Sequence, residues 1–135
     1  MKSRGLALCL AALACAGPAL AHHSGAMFDR AKVITLTGPL KSYAYTQPHS
    51  WIDILAPGPD GGALVDWGVE SGAPPAMRNA GIVPSVMKEG DKVSIRIHPL
   101  KDGRPGGSLI DVTLADGKVL ALGRGNADAA QASGR

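Results

Sequence analysis

Hydrophobic and polar positions alternate in short runs between residues 32 and 122, and each run is closed by glycine, proline or aspartate. Period-two runs separated by turn residues predict β-strands. The first covers residues 32–46 (KVITLTGPLKSYAYT), with Ile34 and Leu36 on one face and a bulge or bend expected at Gly38-Pro39. The second starts at Trp51, carries Ile52, Ile54 and Leu55, and ends in the turn signal Pro57-Gly58-Pro59-Asp60-Gly61-Gly62. The third, residues 63–70, sets Val65, Trp67 and Val69 against Asp66, Gly68 and Glu70. The fourth, residues 92–98, aligns Val93, Ile95 and Ile97; Lys101-Asp102-Gly103 and the Gly103-to-Gly107 stretch read as turn. The fifth, residues 109–114, aligns Ile110, Val112 and Leu114, and Asp116-Gly117 reads as a tight turn into a hairpin arm at residues 118–122.

One helix interrupts the strands. Pro74-Pro75 suits a first helical turn, Ser71 is a cap candidate upstream, and Gly81 suits the C′ position, giving a helix of about seven residues. Three strands, a short helix, two strands and a final arm predict an all-β chain of the OB-fold type, a five-stranded, partly open barrel. A small β-sandwich is the alternative. No internal repeat and no membrane-spanning run is present in the sequence.

The N-terminus carries a different pattern. Lys2 and Arg4 precede an apolar run over residues 6–16, Pro18 breaks it, and Ala19-Leu20-Ala21 follows. This is the arrangement of a secretory signal cleaved after Ala21. The run is shorter than the roughly 20 residues that a membrane span requires. A buried N-terminal helix and lipoprotein processing at Cys15 are the alternatives, and the alanine-rich Ala12-Leu13-Ala14 fits a lipid-attachment signal poorly. The expected organisation is a signal at 1–21, a lead-in at 22–31, one barrel domain at 32–122, and a small, polar, disordered tail at 123–135. The expected location is the periplasm.

Cleavage alters the meaning of the composition. The full chain of 135 residues has 14 basic and 11 acidic side chains. The 114 residues left after cleavage have 12 basic against 11 acidic, because Lys2 and Arg4 leave with the signal. Near-neutral charge removes the main argument for nucleic-acid binding. Cys9 and Cys15 leave too, so neither a disulfide nor a thiolate site is expected. The expected partner is a periplasmic protein or a small ligand, not nucleic acid.

The candidate chemistry lies in the histidines. Cleavage makes His22 the first residue, so one residue offers an α-amine and an imidazole that can chelate a single metal ion, as in histidine-brace copper sites. His23 adds a second imidazole, and His49 lies in Gln47-Pro48-His49-Ser50-Trp51. A nitrogen-rich set favours Cu(II), and its affinity should fall as pH drops through the imidazole range. A His-His pair without a metal role, and a structural hydrogen-bonding His49, stand beside this reading. His98, before Pro99, reads as an ordinary surface residue.

Two further readings compete. Tyr43, Tyr45 and Trp51 fit a ligand face for a protein or glycan, or else cross-strand packing. Asp53, Asp66 and Glu70, on neighbouring strands, are the set that could converge in a hydrolase, although solvent-facing strand positions account for them as well. No GxSxG, Ser-x-x-Lys or strand-linked GxGxxG occurs, so an enzyme is not expected.

The ordered elements Ala21-His22-His23-Ser24, Phe28, Thr35-Leu36-Thr37-Gly38, Pro48-His49-x-Trp51, Trp67-x-x-Glu70, Lys88-x-Gly90-Asp91-x-Val93 and Lys101-Asp102-Gly103 resemble a family of small exported bacterial proteins of unknown function. The resemblance runs from the signal site to about residue 122 and implies an exported β-domain with no assigned activity. Gln47 stands where the family usually has Asn before Pro-His, so a role for that Asn side chain does not carry over. The His-His start and the Pro-His-x-Trp segment both belong to the pattern, which favours a site at these histidines.

Overall fold

The computed structural model describes residues 25–123. The signal segment at 1–21, Cys15, His22, His23 and the tail after Gly123 lie outside the described residues. The elements run β1 (Ile34–Ala44), β2 (Trp51–Pro57), β3 (Leu64–Glu70), α1 (Pro74–Asn79), β4 (Lys92–Pro99), β5 (Gly106–Thr113) and β6 (Val119–Ala121).

β1 is long enough to serve two partners. Its first half pairs antiparallel with β4, from Ile34 opposite Ile97 to Pro39 opposite Lys92. Its second half pairs antiparallel with β2, from Leu40 opposite Ile54 to Ala44 opposite Trp51. Gly38 lies near the changeover. A Cβ on Gly38 would overlap the backbone carbonyl oxygen of Leu55, so only glycine lets β2 cross this closely. The irregularity expected at Gly38-Pro39 falls later, between Leu40 and Ser42. Pro39 fits at the end of the β4 ladder, where its missing N–H interrupts no further pairing.

β2 and β3 form an antiparallel hairpin from Trp51 opposite Glu70 to Pro57 opposite Leu64. β3 then pairs parallel with β5, Gly68 opposite Gly106 through Glu70 opposite Ser108, and β5 pairs antiparallel with β4. The circuit β1-β2-β3-β5-β4 therefore closes into a mixed barrel, with β6 added beside β5. This is the OB-like, all-β architecture with one short helix. It is closed where a partly open barrel was expected, and it is not a sandwich. The glycines permit the closure: a Cβ on Gly106 would lie 2.9 Å from Leu100 Cδ1 and 3.1 Å from the Gly68 carbonyl oxygen.

Alternation puts Leu36 and Leu40, Ile52, Ile54 and Ala56, Trp67 and Val69, and Val93, Ile95 and Ile97 inside. Trp67 is the large aromatic of this core, and its indole N–H donates to the Pro57 carbonyl at 3.0 Å. β5 departs from the expected parity. Its register with β4 slips so that Leu109 faces Ile97 and Val112 faces Ile95, while Ile110 has no opposite residue. One extra residue reverses a period-two pattern, so Leu109 and Val112 are buried while Ile110 and Leu114 are only half-buried. β5 also begins at Gly106, inside the stretch expected to be turn. The slip leaves Asp111 buried, where it accepts hydrogen bonds from Arg96 Nε at 3.0 and 2.9 Å and from a second Arg96 nitrogen.

α1 begins without the expected Ser71 cap. The capping position is Ala73, which makes no side-chain bond, and Ser71 is buried with its hydroxyl donating to the Val69 carbonyl at 3.5 Å. The helix ends as Gly81 implied. Gly81 has φ 77°, its N–H donates to Arg78, and the N–H of Ile82 donates to Met77, both at 2.9 Å. Met77 and Ile82 reach the barrel core. Among the described residues no helix is long and apolar enough to cross a membrane.

The lead-in is ordered where it is described. Gly25–Met27 form a turn of 3-10 helix, and Phe28 is buried and bridges to Leu100. Asp29 N–H donates to the Pro99 carbonyl at 2.8 Å and Lys101 N–H to the Met27 carbonyl at 3.0 Å. These bonds tie the lead-in to the end of β4.

Candidate functional site

His49 immediately precedes the buried Ser50, whose backbone is fixed on both sides. Ser50 N–H donates to the Gly72 carbonyl and its own carbonyl accepts from Ser71 N–H, each at 2.9 Å. This pins His49 against the end of β3. Its Nδ1 lies 2.8 Å from Oε1 of Glu70, and both side chains are about a quarter to a third exposed. An Nδ1–H that donates to this carboxylate fixes the plane of the ring. Carboxylates orient metal-binding histidines in this way.

Glu70 opens onto two clefts, and His49 onto one of them. One, of about 330 Å³, is walled by Gly25, Met27, Phe28 and Arg30 of the lead-in, by His49 and Glu70, and by Ser71 to Ala73, Ser108 and Leu122. The other, of about 470 Å³, lies between Trp51, Glu70, Met27, Phe28, Leu100 and Arg104, with Gly68, Gly106 and Gly107 beneath. Glu70, Met27 and Phe28 belong to both. The Arg30 guanidinium packs over the Phe28 ring at 5.8 Å from its centroid, which sets that wall. Among the described residues no three His, Cys, Asp or Glu gather as a metal-binding group. His49 and Glu70 form a pair, and His22 and His23 lie outside the described residues.

The other expected site residues are placed differently. His98 Nδ1 lies 2.9 Å from the Lys32 carbonyl oxygen, a hold on the backbone away from the clefts. The aromatic trio is divided between two faces. Trp51 is 43% exposed on the outer face, directly opposite Glu70. Tyr43 and Tyr45 are half-buried against the core, with their rings edge to face at 5.9 Å. Their hydroxyls donate to the carbonyls of Ile82 and Pro74, each at 2.7 Å, so both fasten the helix and its following loop to β1. Asp53, Asp66 and Glu70 share the outer face of β2 and β3, but each has its own partner: Ser42 donates to Asp53 at 2.6 Å, Lys41 to Asp66 at 2.7 Å, and His49 faces Glu70. Asp66 and Glu70 are four residues apart on one strand, about 13 Å, so they do not converge.

Burial and the neighbouring Tyr45 push the Tyr43 phenol up to about 12, against a weaker opposing effect of the Ser50 hydroxyl. A phenol that ionises later in the folded chain than in the unfolded chain favours folding below pH 10. That contribution declines as pH rises from about 10 to 12, because the unfolded state loses its proton first. Urea unfolding midpoints should therefore fall between pH 9.5 and pH 11.5 (values set by the roughly pH 10 unfolded phenol), and Tyr43→Phe should flatten that fall.

Glu70 as the partner of His49, and the lead-in as a wall, are the parts of the site that motif spacing did not reveal. The signal for Glu70 lay in the hairpin: strands flanking the loop at Gly58 to Ala63 align Trp51 with Glu70.

A family model described as "Family of unknown function (DUF6152)" matches residues 10–109. No curated protein matches the chain. Among solved structures, the chain is similar to the mitochondrial single-stranded DNA binding protein Rim1 of S. cerevisiae, with 13% identity and a TM-score of 0.42, over 68% of this chain and 97% of that one.

Proposed function

The chain belongs to the DUF6152 family of unknown function, which leaves its chemistry to be read from its own cleft; we propose that it is a small exported barrel that binds Cu(II) at His49, using the processed N-terminus at His22 and the adjacent His23. One observation carries this reading. His49 is oriented by Glu70 at 2.8 Å, on a cleft that the lead-in lines from Gly25 onward. Covalent geometry does the rest. His23 is two residues before Gly25 and His22 three, so extended chain spans at most about 7 and 11 Å to them. Both are therefore tethered within that span of a residue that lines the same cleft as His49.

Cleavage after Ala21 would give His22 a free amine and make it a two-nitrogen chelate. With the imidazoles of His49 and His23, that would be an imidazole-rich set of the kind Cu(II) prefers. Were copper held by His49, Glu70 would fix the plane of that ring from its other nitrogen. Copper held here would stand beside Trp51, opposite Glu70 on the sheet, whose indole emission a paramagnetic ion quenches.

The test compares the chain beginning at His22 with a form carrying one additional N-terminal residue. Competitive Cu(II) titration should show a loss of affinity of about ten- to a hundredfold in the extended form, the scale of losing support for one ligand. His49→Ala should show a comparable loss, and Trp51→Phe should abolish most of the copper-dependent quenching without altering affinity. Equal Cu(II) affinities for the two N-termini would overturn the reading. The N-terminal residue of the exported protein, read by intact mass, tests the processing separately.

A further inference from the structure

Among the described residues, two of the large hydrophobic side chains left exposed, Trp51 at 43% and Met27 at 49%, line one recess, the larger cleft of about 470 Å³. That volume falls within the roughly 300–1,000 Å³ of small-molecule sites. Phe28 and Leu100 add apolar wall. Gly68 stands diagonal to Trp51 across the β2–β3 hairpin and has no side chain to cover the indole. Two charged groups border the same space. Glu70, directly opposite Trp51, is an acceptor, and Arg104 is a donor. His49 faces Oε1 of Glu70, and a carboxylate accepts at both of its oxygens. Asp102 accepts from Arg104 Nε at 2.7 Å and from its backbone N–H at 3.1 Å, which steadies the arm and leaves the Nη nitrogens as donors.

We propose that this cleft binds a neutral pyranose sugar, with one ring stacked on Trp51 and its hydroxyls shared between Glu70 and Arg104. The charges select the class of ligand. An anion would meet the Glu70 carboxylate and a cation the Arg104 guanidinium, whereas a hydroxyl donates to the first and accepts from the second. A wholly apolar ligand would desolvate both charged groups and give them no partner. A pyranose has C–H faces that suit the electron-rich face of an indole, and hydroxyls around its edge. Trp51 is the aromatic that stays available for this. Tyr43 and Tyr45 spend their hydroxyls on the carbonyls of Ile82 and Pro74. No described histidine lines this cleft, so the inference stands apart from the copper reading.

The experiment titrates the isotope-labelled full chain with cellobiose, maltose and diacetylchitobiose and follows backbone and indole N–H resonances. At least one of these neutral sugars should shift the amides of Gly68, Gly106 and Gly107 and the indole N–H of Trp51, while the buried Trp67 stays unmoved. Trp51→Ala should weaken that binding about tenfold or more, the scale of losing a central aromatic contact, and Arg104→Ala should weaken it several-fold. Both side chains are exposed, and the spectra of the free variants verify their fold. Glucuronate, glucosamine and the zwitterion trialanine should each bind more weakly than the best neutral sugar. No shift at the cleft glycines with any of the three disaccharides would overturn the proposal. So would an affinity unchanged in Trp51→Ala, or tighter binding of a charged sugar or of trialanine.

Discussion

Gly38→Ala is expected to destabilise the barrel by at least about 3 kcal/mol, a shift of more than about 12 °C in the unfolding temperature for a domain of this size. The cost does not come from lost flexibility. The alanine methyl would overlap the Leu55 carbonyl oxygen, and that oxygen belongs to β2, which pairs with β3 from Trp51 to Pro57. Relief requires β2 to move away from β1, and the strands on either side are tied into a closed circuit. Gly68→Ala is the control. Its methyl meets only Asp53 Oδ1 at 3.7 Å, an ordinary contact, so it should cost about 1 kcal/mol or less. Thermal unfolding of the two variants decides the matter. If Gly38→Ala melts as high as Gly68→Ala, the close crossing of β1 and β2 is not what the glycine provides.

The second large effect concerns Arg96 and Asp111. Asp111 is 2% exposed and its carboxylate is held by Arg96 through three nitrogen–oxygen contacts. The guanidinium itself is about half-exposed, so the two partners are not equivalent. Arg96→Met leaves a carboxylate buried without its cation and is expected to cost about 3 kcal/mol. Asp111→Asn leaves an arginine that water can still solvate, and should cost less. The double variant Arg96→Met with Asp111→Leu removes both charges and should regain most of the loss, because a buried ion pair contributes little net stability over apolar residues of similar volume. Chemical denaturation of the unsubstituted chain, Arg96→Met, Asp111→Leu and the double variant closes the cycle. A double variant as unstable as Arg96→Met would show that the ion pair is itself the source of the stability.

Asp111 also shows where sequence patterning stops. The strands that obey strict alternation were legible: Val65, Trp67 and Val69, and Val93, Ile95 and Ile97, face the core as their spacing dictates. The turns were legible too, because Gly81 and Gly117 carry positive φ values that few other residues accept. β5 was misread, because a bulge has no local signature strong enough to reveal itself. Its cause lies in the neighbouring strand, where Arg96 and Ile97 face Asp111 and Leu109 and skip Ile110. The parallel seam between β3 and β5 was hidden for the same reason, since residues 68–70 and 106–108 are paired only once the barrel closes.

The site divides along the same line. The Pro-His-x-Trp segment marked His49, since a histidine tied to a rigid segment beside a tryptophan can be read from neighbouring residues. Its partner Glu70 is 21 positions away and meets it only through the β2–β3 register. Met27 carried no chemical signal in the sequence at all. Methionine near a strand reads as core, and only its 49% exposure separates it from Met77 and Met87. Tyr43 and Tyr45 show the opposite error of pattern reading: their spacing suggests a shared face with Trp51, but the chain reverses between Ala44 and Trp51 and leaves the tryptophan on the other side of the sheet.

The glycine seam has an evolutionary consequence. Gly68 and Gly106 face one another where the barrel shuts, and together with Gly107 they form the floor of the larger cleft. A side chain at Gly106 would press on both Leu100 and the Gly68 carbonyl. It would pry the closure apart and silt up the recess in a single step. Mutation at Gly106 therefore offers no graded path: it cannot reshape what the recess admits without also risking the fold. Adaptation to a new occupant must come from the walls instead, from positions such as Trp51, Arg104 and Met27, whose exposed side chains can change while the architecture stays intact.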